Sequence, residues 1–168
     1  MATTTLLPAA LVANNGVASI ANIDEGVGSP DGSTVGMAGT SSYFRVSFPA
    51  VAGSLNLGAG LQTFRLRAKR TFSGSPTMVV DVYESGSVVA SAILTQNLSS
   101  SMTNYSATWN ASILSDISGS GVQMHVRKTT SEGVDVDAVD WIADYTPAAG
   151  LVLPRARMGT RWMTSKRF

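Results

Sequence analysis

The sequence predicts an all-β fold, an antiparallel β-sandwich of jelly-roll type with one short helical crossover and extended arms at both termini. Three observations lead there. Segments of alternating apolar and polar residues recur through the middle of the chain; clusters of Gly, Ser, Pro and Asn separate them at short intervals; and no stretch beyond about eight residues keeps a helical apolar period. A length of 168 residues suits one domain with a hydrophobic core and is short for two. The expected division is an N-terminal arm over 1–16, a sandwich over 17–146 and a C-terminal arm over 147–168.

Each element has its own local reason. A first strand is expected over 17–23 and another over 43–48. At 61–70 the text LQTFRLRAKR sets Phe64, Leu66 and Ala68 on one face and Arg65, Arg67 and Lys69 on the other, a half-buried strand with a basic exterior. The Gly/Ser-rich stretches 26–42 and 49–60 read as loops. In TMVVDVYE, Met78, Val80 and Val82 oppose Val79, Asp81 and Tyr83. Glu84-Ser85-Gly86-Ser87 then makes a tight hairpin connection into VVASAILTQ at 88–96. MTNYSATW turns Tyr105, Ala107 and Trp109 one way, and Asn110 is placed to cap a single helical turn near Ile113, Leu114 and Ile117. GVQMHVRKT directs Val122, Met124 and Val126 inward. The closing strand VDVDAVDWIADY changes apolar phase at Ala138 and Val139, which predicts a bulge or a strand covered on both faces.

Composition excludes several kinds of chemistry. Charged residues reach only 14%, against the roughly 25% of an ordinary soluble domain, so Ser, Thr, Gly and Asn form much of the surface. Without cysteine there is no disulfide, thiolate nucleophile or cysteine zinc site. The apolar stretch around Leu6, Leu7, Leu11 and Val12 is interrupted by Pro8 and has no basic residue before it, a poor signal peptide. No run approaches the roughly 18 apolar residues of a membrane span. Folding in a cytoplasm is therefore expected. The net charge of +1 conceals an asymmetry, because Arg155, Arg157, Arg161, Lys166 and Arg167 crowd the last twenty residues with no acid among them. Without those five, seven basic residues face eleven acidic ones.

Candidate reactive groups are few. A serine-type hydrolase needs a histidine, and the one present, His125, alternates with Met124 and Val126, which places it on the solvent side of its strand. Asp135 and Asp137 share a strand face, as a glycosidase carboxylate pair would; Asp24, Glu25 and Asp31 share a loop, as calcium ligands would. Neither set has a recognisable motif spacing, and Ser29-Pro30-Asp31-Gly32 reads as a turn. No glycine-rich loop carries the lysine of a nucleotide-binding site. The Asn-X-Ser triplets at Asn97, Asn104 and Asn110 follow from an Asn/Ser-rich composition. Trp109 and Trp141 offer either core packing or a sugar-stacking platform. The basic stripe of Arg65, Arg67, Lys69 and Arg70 invites nucleic acid, but a nearly neutral chain with sparse charge argues against a dedicated binder. The expectation is a non-enzyme with no catalytic, cofactor-binding or metal-ligating residue.

The C-terminal arm mixes Arg155, Arg157, Arg161, Lys166 and Arg167 with Leu151, Leu153, Trp162 and Phe168. Such apolar groups have nothing of their own to pack on, so this arm is expected to order against a partner. The texts IDEGVGSPDG, FRVSFPAVAGSLNLGAGLQTFRLRAKR, VDVYESGSVVA, ATWNASILSDISGSGVQMHVR and VDVDAVDWIADY together resemble small β-sandwich structural proteins of tailed bacteriophages, over roughly residues 22–146. The resemblance implies a virion component without catalytic residues. The expected role is a capsid decoration or cement subunit, a homo-oligomer clamped to the major capsid protein by its terminal arm. The alternative is a tail- or fibre-associated protein with a carbohydrate-binding sandwich.

Overall fold

The fold was determined as a computed structural model, which describes residues 2–15, 23–39, 41–58 and 61–149. In chain order the strands are β1 (Ala2–Leu6), β2 (Ala10–Asn15), β3 (Val35–Met37), β4 (Tyr43–Ser47), β5 (Gly53–Leu55), β6 (Gln62–Arg70), β7 (Thr77–Glu84), β8 (Ser87–Asn97), β9 (Thr103–Trp109), β10 (Val122–Lys128) and β11 (Val134–Pro147). They build two antiparallel sheets. Sheet A runs β1-β11-β6-β9, with β3 and β5 also paired to β11; sheet B runs β2-β4-β10-β7-β8. The predicted all-β sandwich is therefore the fold.

The alternation read from the sequence decides what each sheet buries. Phe64, Leu66 and Ala68 of β6, Met78, Val80 and Val82 of β7, and Val122, Met124 and Val126 of β10 all enter the core. The hairpin connection uses Ser85 and Gly86, both at positive φ (49° and 91°), the geometry that a two-residue loop between right-twisted strands requires. The register of β11 against β6 shifts between Val136 and Ala138, the bulge foreseen from the change of apolar phase. Asn110 caps a single 3-10 turn (Ala111–Ile113), its Oδ1 accepting the Ser112 amide at 2.9 Å.

Other parts differ from expectation. Residues 2–15, expected in an arm, supply β1 and β2, which pair with β11 and β4 respectively. The two stretches read as loops each hold a three-residue strand, β3 and β5, stitched to β11. Their Gly/Ser content hid them, and each is fixed by a partner more than 80 residues away. The expected strand at 17–23 lies almost wholly outside the described residues, though Ile23 itself is buried in the core.

Candidate ligand-binding face

Much of the reactive potential in the sequence is spent on sheet A. The bases of β6 and the acids of β11 meet across the outer face as a ladder: Arg65 with Asp140, Arg67 with Asp137 at 3.2 Å, and Lys69 with Asp135 at 3.7 Å. Asp140 is fully buried; it accepts Arg65 Nε at 2.7 Å and Nη2 at 2.5 Å, plus the Val27 amide at 2.9 Å. Arg65 holds its proton more firmly than a free arginine because of this carboxylate. Three of the four bases of the stripe are thus paired with acids, and Asp135 and Asp137 are no free carboxylate pair.

The tryptophan platform is also ruled out. Trp109 and Trp141 retain 4% and 0% of their surface and sit with Phe48 and Phe64 in one aromatic cluster, centroids 5.3–6.1 Å apart. Trp141 donates to the buried Gln62 side chain, whose amide in turn donates to the Asp144 carbonyl at 2.9 Å. Asp31 accepts the Ser33 amide and hydroxyl, as a turn-forming Asp does, and no group of three His, Asp or Glu capable of holding a metal occurs among the described residues. The expected partner-binding residues Leu151, Leu153, Arg155, Arg157, Arg161, Trp162, Lys166, Arg167 and Phe168 all lie outside the described residues.

Sheet B is different. Its three central strands bring Tyr43 and Arg45 (β4), Gln123, His125 and Arg127 (β10), and Asp81 and Tyr83 (β7) onto one outer face. The register sets His125 opposite both Arg45 and Asp81. The imidazole stands edge-on between the two tyrosines, 5.0 Å from each ring and inclined 72° to Tyr43 and 71° to Tyr83. Arg45 lies over the Tyr83 ring at 4.5 Å. The outward placement of His125 read from the sequence holds, but the tyrosines leave its side chain only 13% exposed. Burial lowers its pKa below the ordinary histidine value, and the nearby Asp81 carboxylate opposes that only in part.

Asp81 is committed internally. It accepts Arg127 Nε at 2.8 Å and the Ala92 amide at 2.7 Å, anchoring the bulge where Ala92 takes a φ of 53°. His125 Nδ1 stands 3.9 Å away, too far for a hydrogen bond. Among the described residues, both imidazole nitrogens, Arg45 Nε and Gln123 Oε1 have no hydrogen-bond partner. Such atoms also occur elsewhere among the described residues, at Glu25, Trp109, Thr130, Glu132 and Asp137, and burying each without a partner costs about 1–3 kcal/mol. No serine hydroxyl hydrogen-bonds to His125 among the described residues. Away from this face, a concavity of about 230 Å³ is lined by Met37, Phe72, Val134 and Asp135, but its walls offer few polar atoms to orient a ligand.

No protein-family model matches this chain, and no curated protein sequence does. Among solved structures it is similar to the C-terminal CBM6 of LamC from Zobellia galactanivorans, at 15% identity and a TM-score of 0.48, covering 85% of this chain and 100% of that one. The carbohydrate binding module CBM6cm-2 of Cellvibrio mixtus lichenase 5A, solved in complex with cellotriose, is 13% identical with a TM-score of 0.46, covering 85% and 97%. A CBM35 from Paenibacillus barcinonensis is 15% identical with a TM-score of 0.43, covering 85% and 99%.

Proposed function

We propose that this chain is a non-catalytic binding module that takes a carbohydrate on the outer face of sheet B. One observation carries the proposal: aromatic rings and arginine donors lie side by side there. Tyr43 and Tyr83 supply ring surface for the apolar face of a sugar, and the exposed Arg127 guanidinium, with Arg45 beside it, supplies hydrogen-bonding groups. The test is a glycan microarray followed by calorimetry. Glycan binding that weakens about tenfold or more in Tyr43→Ala and Tyr83→Ala, with circular dichroism unchanged, is the expected result. Binding indifferent to both substitutions sinks the assignment to this face.

A second reading concerns where such a module works. The five basic residues without an acid at 149–168, together with the phage-protein resemblance, support a virion structural subunit held by its C-terminal segment, on the capsid or on the tail. Comparing particles that carry the full chain with particles carrying a version truncated after Pro147 tests it. Loss of the truncated chain from particles is expected. Retention removes the clamp, and absence of the full chain removes the virion role. The two readings are compatible.

A further inference from the structure

We infer that the saccharide taken by the outer face of sheet B is anionic, bearing a carboxylate or a sulfate read by Arg45 and Arg127. This rests on the carbohydrate reading above and adds the ligand's charge. The argument starts from how the two sheets handle charge. On sheet A, three bases meet three acids and cancel. The strands of sheet B carry Arg45, Asp81, Glu84, Arg127 and Lys128. Glu84 and Lys128 are buried at strand ends and bound to backbone groups, Glu84 to the amides of Ser115 and Asp116, Lys128 to the Glu132 carbonyl at 2.7 Å. Two cations and one carboxylate remain on the outer face, and that carboxylate, Asp81, has both oxygens occupied.

The excess is therefore positive, and it is rich in donors. Among the described residues Arg127 spends only Nε on Asp81, and its side chain is 37% exposed, which leaves both terminal nitrogens for a ligand. Arg45 gives Nη1 to the Gly86 carbonyl in a long 3.4 Å contact, and its Nε is buried without a partner. Its guanidinium lies over the Tyr83 ring and carries its charge on the same outer face as Arg127. Guanidinium edges match the paired oxygens of a carboxylate or sulfate, whereas a neutral hydroxyl leaves the charge without a counterpart.

Calorimetry on the full chain with matched ligands tests this. The pairs are oligogalacturonate against its methyl ester, and chondroitin sulfate oligosaccharide against its desulfated form, whose uronate remains. Affinity for the charged member at least about tenfold higher in either pair is expected, the responding pair naming the group, with the gap narrowing as salt rises. Arg45→Gln and Arg127→Gln should each shrink the gap with unchanged circular dichroism, and Arg127→Lys should restore part of it. If both members of both pairs bind equally, or the neutral member more tightly, the inference falls and the carbohydrate reading stands. If the arginine variants keep the full gap, its assignment to these residues falls. If no saccharide binds, both fall.

Discussion

Gly119 shows how tightly single positions are constrained. Its φ of 72° suits glycine, and a Cβ there would stand 2.8 Å from the far edge of the Trp141 indole, itself fixed in the aromatic cluster. Gly119→Ala should cost about 2 kcal/mol or more, combining a left-handed backbone with overpacking, and read out as a lower urea midpoint. Glu84 is equally bound to its place. Burial pushes its pKa up, but hydrogen bonds from the Ser115 and Asp116 amides and the Ser115 hydroxyl outweigh that and hold it below the usual glutamate value. His125 bears on pH. Its folded-state pKa lies below the unfolded value of about 6.5, so between the two the unfolded chain binds more protons. The stability tied to a neutral His125 is complete above that unfolded value and is lost as pH falls through it toward the folded pKa. Arg45 and Arg127 act in the same direction and Asp81 against it. Urea midpoints taken between about pH 7.5 and pH 5 should fall with pH, and fall less in His125→Gln. An unchanged slope in that variant would place the titration elsewhere.

Among the elements, β6 and β11 together explain what the sequence revealed and what it hid. Alternation within β6 named its buried residues correctly, because the side-chain period of a strand is a local property. The fate of Arg65, Arg67 and Lys69 depended on which strand lay beside them, and that strand begins more than 60 residues later. Read alone, the two strands offered a basic stripe and a pair of free acids. Side by side they neutralise one another. The rungs should differ in worth. Asp140→Ala removes a fully buried carboxylate that holds both Arg65 and the Val27 amide, and should cost about 3 kcal/mol. Lys69→Ala breaks a half-exposed contact at 3.7 Å and should cost under about 1 kcal/mol. Denaturant titration of the two variants measures the contrast. The tyrosine–histidine face was hidden for the same reason: every outward residue on it was legible strand by strand, but the order β4-β10-β7 was not. β1 and β2 escaped notice because the Thr-rich ATTTL and the short ALVANN straddle Pro8 and carry little apolar pattern.

Seen whole, the molecule divides its labour between two sheets. Sheet A pairs its outer bases with its outer acids, and sheet B keeps two arginines and two tyrosine rings around His125 on its outer side. That division follows from strand order, which is why composition and spacing predicted a sandwich without locating its tyrosine–histidine face. The position of β11 carries one further consequence. Among the described residues it is the last strand, and it pairs with β1, β3, β5 and β6, so sheet A has no centre until residue 147 is in place. Pairing Ala2 with Tyr145 closes a loop of nearly the entire chain. During synthesis β1, β3 and β5 must wait for β11 to leave the ribosome, whereas β6 can pair with β9 before then. Refolding is accordingly expected in the slow range of all-β domains, milliseconds to seconds, and chains ending before β11 should fail to fold, remaining exposed to proteases and to one another.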